Sequence, residues 1–342
     1  MKSVVIKLSS ALIMHEDAKE WLNELPSYVK KLQIEGYQVC LVTSGATALG
    51  KRQHGAANET NQFYAIIGQP LLYELYSSAF AKKDIETAQL LINKDDFKNR
   101  DNYLEVRDAV HELLKNNIVP LINENDATHS KEYTFSDNDE IGGLLASLLG
   151  SERLVLASSV EGLIDDQGNV IPSIEYNDKT WQEHIKGGKS EHGRGGMQLK
   201  CEAADLLSRH GISTTICSGL ELPTLYKAAM GQNVGTIFQP NKQLPAKKRW
   251  LLDHAQFADA SVSVDERAAN VMRNSDATSL LTVGITAIDG NFSIGDVITI
   301  IDPKQQIIGY GQAQYPSEEA KNLVGKQSAK PLVHYDHYVG AL

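Results

Sequence analysis

Residues 36–52 read GYQVCLVTSGATALGKR. An apolar, β-branched run ends at Thr43, Ser44 and Gly45, and helix-forming residues follow at once; strand, tight turn and helix in that order make half of a βαβ unit. The turn places a helix N-terminus just beyond a strand, where free N–H groups can hold an anion. Gly45, Gly50 and Lys51 fill most of a P-loop pattern, but Arg52 stands where a Mg²⁺-binding Ser or Thr is required, so the pattern fails. A carboxylate suits the turn as well as a phosphate.

The same alternation extends on both sides. SVVIKL, IETAQLLI, NIVPLINE, RLVLAS and STTICS are further strand candidates, several apolar along their whole length, as strands covered on both faces should be. Between them residues 102–114 carry Tyr103, Val106, Val110 and Leu113 at three- and four-residue spacing, which predicts a helix. The fold class expected over residues 1–240 is α/β, an open α/β/α sandwich around a mainly parallel sheet. In such sheets ligands bind beyond the carboxyl ends of the strands, so the residues that follow each strand matter most. FQPNKQLPAKKRW interrupts the pattern with two prolines and a polar run, giving a linker over 241–257 in which Lys247, Lys248 and Arg249 are solvated. Residues 258–342 then show short alternating runs parted by DG, GD and DP turns, a small C-terminal β-domain of barrel or sandwich type.

Two domains also suit a length of 342 residues. No apolar run approaches the ~20 residues of a membrane span, and the N-terminus MKSVVIKLSS reads as one buried strand rather than a leader, so a cytoplasmic protein with no membrane partner is expected. Cys40, Cys201 and Cys217 lie far apart and form no CxxC pair, which suits buried thiols in a reducing compartment. The formal charge is −10, and residues 258–342 alone hold 6 Lys and Arg against 10 Asp and Glu. A nucleic-acid partner is therefore not expected, and any phosphate site must be built locally from lysines and helix ends.

Three local features can carry chemistry. Lys7 closes the first strand before the small polar turn Ser9-Ser10, where its ammonium group reaches the crevice. The densest polar stretch, NENDATHSKEYTFSDNDEIGG, places Asn123, Glu124, Asn125, Asp126, Asp137, Asn138, Asp139 and Glu140 around one loop. Turn and cap chemistry accounts for one or two such residues; eight suit a ligand with an ammonium group and hydrogen-bonding edges, or a hydrated Mg²⁺. The spacing is not that of an EF-hand. KGGKSEHGRGGMQLK, finally, is a glycine-rich loop entering a helix with Lys200 in its first turns, able to approach a polyphosphate opposite Lys7. His192 has no His or Cys partner at metal spacing, and no protein-ligated metal is expected.

IKLSS, VTSGATALG, NIVPLINENDA, SDNDE and GRGGMQLK, in this order, resemble the glutamate 5-kinases of the amino-acid-kinase superfamily, and SVDERAA, GNFSIGDVITI and IGYGQAQY resemble the PUA domain of bacterial members. The resemblance implies ATP-dependent phosphorylation of the γ-carboxylate of L-glutamate, the first step of proline biosynthesis, with ATP and Mg²⁺. It implies Lys7, Lys200 and Asp139 as catalytic groups, and Ser44, Gly45, Asn123, Asp126 and Asn138 as glutamate contacts. The nucleotide contacts it implies are Lys7, Ser9, Ser10, Ser158, Ser159, Arg194, Gly195, Gly196, Met197 and Lys200. Implied partners are proline as feedback inhibitor, glutamyl-phosphate reductase as recipient of the product, and further copies of the chain in a dimer or tetramer. Three nucleotide-side positions depart from the family pattern: Ser9-Ser10 for Gly-Thr, Ser158-Ser159 for Thr-Asp, and Arg194 for Thr.

The chemistry agrees with that implication. A γ-carboxylate is ionised at neutral pH and needs no general base to attack a phosphoryl group, which fits a site without a catalytic histidine. The obstacle is repulsion between two anions, which lysines, Mg²⁺ and helix N-termini offset. Two other readings stay open at this point: a weakened paralogue that senses glutamate or proline, and an RNA-binding protein acting through the PUA-like part.

Overall fold

The computed structural model describes residues 2–55, 58–93, 95–98, 100–128, 138–185, 196–242, 244–274, 278–328 and 330–341. The chain divides into two compact units, Met1–Gln243 and Leu244–Leu342.

The first unit holds strands β1 (Lys2–Leu8), β2 (Tyr37–Val42), β3 (Thr87–Ile92), β4 (Val119–Glu124), β5 (Arg153–Ser158), β6 (Ser173–Ile174), β7 (Ser213–Ser218) and β8 (Thr236–Phe238). They form one sheet in the order β3-β4-β2-β1-β5-β7-β8-β6. The pairings are parallel except β7 with β8. All six strands read from the apolar runs are present; β6 and β8, of two and three residues, are too short to show a period. The helices are α1 (Ser10–Met14), α2 (Ala18–Ile34), α3 (Ala46–His54), α4 (Asn61–Ala81), α5 (Asp95–Lys98), α6 (Arg100–Lys115), α7 (Asn138–Leu149), α8 (Gly196–His210) and α9 (Leu222–Ala229).

Strand β1 sits at the centre, with β2 on one side and β5 on the other, and its residues 3–8 are all buried. Successive side chains of a strand face opposite ways. Val4, Ile6 and Leu8 enter the core built with Trp21, Leu25 and Val29 of α2 and Leu72 and Tyr76 of α4. Lys7 therefore faces the other layer, where α7 crosses β1: a Cβ added at Gly142 would stand 3.4 Å from Lys7 Cβ. Strand parity alone thus sends the ammonium stem of Lys7 toward α7.

Helices α3 and α4 touch backbone to backbone. A Cβ built on Gly68 would lie 1.8 Å from the Ala46 carbonyl oxygen, and one built on Gly50 would lie 1.9 Å from that of Tyr64. Gly50, a member of the incomplete P-loop pattern, is thus a packing residue. Replacing Gly68 with Ala is expected to part the two helices and lower stability by about 3 kcal/mol, at the upper end for overpacking because the obstacle is backbone. Urea denaturation measures it, and a loss under ~1 kcal/mol would contradict the close seam.

The second unit begins earlier than the sequence suggests. The stretch expected to be a linker instead forms helix α10 (Ala246–Ala255), in which Arg249, Trp250, Leu251, Asp253 and His254 are buried. Pro245 occupies the N-cap, where its missing N–H costs nothing, so a residue read as a breaker starts a helix. Arg249, expected to be solvated, donates to the Leu244 carbonyl at 2.7 Å. Then follow β9 (Ser261–Val264), α11 (Glu266–Asn274), β10 (Ile285–Asp289), β11 (Val297–Ile301), β12 (Ile307–Gln312), α12 (Ser317–Leu323) and β13 (Tyr338–Gly340). The strands form a single sheet in the order β10-β9-β11-β12-β13. Side chains at Gly309 and Gly311 would collide with Tyr338 and Val333, so the GYG of β12 makes room for the element that closes this core.

Candidate active site

Residues at the carboxyl ends of β1, β2 and β4 meet the first turn of α7. Strand β2 ends at Val42, and Gly45 caps α3 with φ +112°, a left-handed conformation that favours glycine. A side chain there would also strike Ile13 Cδ1, 2.6 Å from the ideal Cβ. Ser10, Ser44, Gly45, Asn123, Asp126 and Asn138, with Thr47, Ala48 and Lys51 of α3, line a cleft of about 310 Å³. Asp126 opens a short 3₁₀ turn, Asp126–Thr128, directly after β4. That turn is tied to α4 by Gln62, whose Nε2 donates to the Ala127 carbonyl at 2.7 Å.

A chain of amides runs along the cleft wall. Asn138 Nδ2 donates to the Thr43 carbonyl at 2.7 Å and to Asn123 Oδ1 at 2.6 Å. Asn123 Nδ2 in turn donates to Gln69 Oε1 on α4 at 2.7 Å.

One residue further along α7, Asp139 is buried and faces away from this chain. Its Oδ1 lies 2.7 Å from Lys7 Nζ and its Oδ2 2.5 Å from Lys200 Nζ, on the second turn of α8. Both lysines are buried as well. Asp139 and Gly142 are three residues apart and share a helix face, so the carboxylate and the gap that admits the Lys7 stem lie together. Burial alone would raise the Asp139 carboxyl, but the charges of Lys7 and Lys200 and their hydrogen bonds hold it below its ordinary 3.8. Next to Lys7, Ser9 donates its backbone N–H to the Ala157 carbonyl at 3.0 Å, while its hydroxyl is buried with no hydrogen-bond partner among the described residues. The buried Ser158 ends β5, and Ser159 beyond it is exposed.

The arrangement has two halves that share elements: a cleft lined by amides and the Asp126 carboxylate, and a pair of buried cations on one carboxylate. The amino acid kinase family profile matches residues 2–218. The chain belongs to the amino acid kinase family. A PUA domain profile matches residues 260–335. Glutamate 5-kinase of Chlorobaculum tepidum is 38% identical over 348 residues, covering 98% of this chain and 96% of the relative. That of Thermotoga maritima is 32% identical over 329 residues, covering 94% and 91%. Among solved structures, Giardia carbamate kinase superposes with a TM-score of 0.52 at 19% identity, over 70% of this chain and 99% of the other, a likeness of fold.

Against this amino acid kinase framework the expected residues fall into place unevenly. The five expected glutamate contacts, Ser44, Gly45, Asn123, Asp126 and Asn138, all line one cleft. Ser10, expected on the nucleotide side, lines that cleft too, because α1 turns it toward Gly45. Lys7, Asp139 and Lys200 form the ion-paired group. Gly196 opens α8 with nothing within 4 Å of an added Cβ, and Met197 is half-buried. Arg194, Gly195, His192 and Asp137 lie outside the described residues. Sequence reading missed Gln69 and assigned Lys51 only to the failed P-loop; Lys51 instead borders the cleft with its Nζ 5.5 Å from the centre of the Tyr64 ring. Among the described residues His15, Glu16 and Asp17 alone bring three potential metal-ligand atoms within 4.8 Å, and all three are exposed. No helix among the described residues is long and apolar enough to cross a membrane.

Proposed function

We propose that this chain transfers the γ-phosphoryl group of ATP to the γ-carboxylate of L-glutamate, giving L-glutamyl 5-phosphate, the first step of proline biosynthesis. The observation that carries the reading is the juxtaposition on α7: Asn138 faces the amide-lined cleft, and the next residue, Asp139, holds Lys7 and Lys200. Full-length similarity to glutamate 5-kinases supports the choice of acceptor.

In this reading glutamate sits in the cleft, its ammonium group met by Asp126 and by acceptor oxygens, its α-carboxylate near the Ser44–Gly45 turn. Its γ-carboxylate, ionised at neutral pH, attacks without proton removal. Lys7 and Lys200, positioned by Asp139, face the charge that develops on the transferring group, and their water has already been stripped away by burial. The buried Ser9 hydroxyl offers a donor on the same side, which fits a phosphate oxygen. Asp139 being engaged by two lysines, Mg²⁺ would be carried on the nucleotide phosphates, where it would neutralise part of their charge.

Proline shares the α-carboxylate and a cationic nitrogen with glutamate, so it is expected to compete for the cleft. Handing the acyl phosphate to a reductase, and self-association as a dimer or tetramer, belong to the same proposal; Ile66 and Leu75 of α4 present exposed apolar surface for the latter, and sedimentation of the purified chain tests it.

ADP formation with glutamate, aspartate and N-acetylglutamate as acceptors tests the function, glutamate being expected to be the preferred one. Asp126→Ala is expected to raise the glutamate KM by at least tenfold, since losing one partner of a charged pair costs ~2 to 5 kcal/mol, and to leave the ATP KM near its wild-type value. Inhibition by proline should vanish at saturating glutamate. Equal effects of Asp126→Ala on both KM values would remove Asp126 from the acceptor pocket.

A further inference from the structure

We infer that Gln69 is a positioning residue for substrate recognition: by accepting from Asn123 it holds in place the amide relay whose polarity the Thr43 carbonyl sets, so that Asn138 presents an acceptor oxygen, which selects for the ammonium group of the amino acid. The inference rests on the glutamate reading above.

The relay has a fixed starting point. A backbone carbonyl accepts and never donates, so the end of Asn138 that lies 2.7 Å from the Thr43 oxygen is its Nδ2. The same nitrogen lies 2.6 Å from Asn123, and that neighbour must be Oδ1. Asn123 then turns its Nδ2 outward, and only an acceptor, Gln69 Oε1 at 2.7 Å, completes the line. Both N–H groups of Asn138 are used, so what this residue offers a ligand is its Oδ1. An ammonium group donates to that oxygen, whereas a carboxylate is repelled by it.

Gln69 secures the far end. It projects from α4, a helix held against α3 by the Gly50–Gly68 contact, and Gly68 is its neighbour in the chain. Were the acceptor lost, Asn123 could rotate its amide by half a turn and satisfy itself elsewhere. Asn138 would then face a nitrogen, and its own orientation would no longer be enforced from both sides.

The test compares glutamate with glutarate, which keeps both carboxylates and lacks the ammonium group. Competitive inhibition by glutarate and the KM for glutamate are measured on the full chain for wild type, Gln69→Met and Gln69→Glu, with thermal midpoints recorded. Gln69→Met is expected to cut the preference for glutamate over glutarate by roughly tenfold, the loss typical of one hydrogen bond to a charged group. Gln69→Glu, which keeps an oxygen toward Asn123, is expected to hold the preference within about threefold of wild type. Gln69→Leu supplies the same comparison should Gln69→Met fail to fold. An unchanged preference in Gln69→Met, or an equal weakening of both ligands, overturns the role assigned to Gln69. Wild type that forms no ADP with glutamate instead overturns the function on which it rests.

Discussion

Replacing Lys7 or Lys200 by methionine is expected to lower kcat by roughly 10² to 10³, the usual loss for one electrostatic stabiliser of a transition state, while the glutamate KM stays nearly constant. Methionine keeps the length and apolar stem that pack against α7 and α8 and removes the charge. The two ammonium groups are not redundant, since they approach Asp139 through different oxygens and come from different elements, one from β1 and one from α8. Steady-state kinetics of each variant, with ATP and glutamate varied in turn, gives the split between kcat and KM. Full activity without either lysine would rule out the phosphate clamp.

Asp139→Asn is expected to act on stability as strongly as on rate. The substitution leaves two buried ammonium groups facing a neutral amide, and breaking a buried pair from one side costs ~3 to 5 kcal/mol. Binding a nucleotide would bring negative charge to the same place, so ATP is expected to raise the denaturation midpoint of the variant more than that of wild type. The pH dependence has a definite sign. Because the folded carboxyl is held below 3.8, its contribution is complete above that value and is lost as pH falls through the depressed folded one. The stability gap between wild type and Asp139→Asn should therefore be constant near neutrality and close in acid. A gap that widened on acidification would contradict the pairing.

Much of this was readable from the chain because the relevant forces are local. Strands β1, β2, β4 and β5 are largely apolar runs, and polar residues at their carboxyl ends stand out against that background. The cleft proposed for the acceptor is legible for the same reason: Ser44, Asn123, Asp126 and Asn138 lie at strand and helix ends. Gln69 was not, since it sits within an apolar helical run and meets Asn123 across 54 positions of sequence. Nothing local marks a glutamine on α4 whose partner, Asn123 on β4, is brought to it only by the tertiary fold. The α10 segment failed differently. Its prolines and lysines look like those of a loop, and Trp250 and Leu251 gain their meaning only from the core they enter. Glycines carry the least information of all: Gly45 is needed for a left-handed turn and Gly50 for a helix contact, and a pattern that counts both as phosphate-binding cannot tell them apart.

Gly68 and Gln69 are consecutive, so the contact that fixes how deeply α4 lies against α3 and the residue that closes the line of cleft amides share one dipeptide. On the function proposed above, a substitution that widens the α3–α4 seam would shift the relay with it, and acceptor preference would change although every residue lining the cleft is unchanged. Conversely, new acceptor specificity within this scaffold is within reach of substitutions along the seam, in residues that an inventory of ligand contacts would never include.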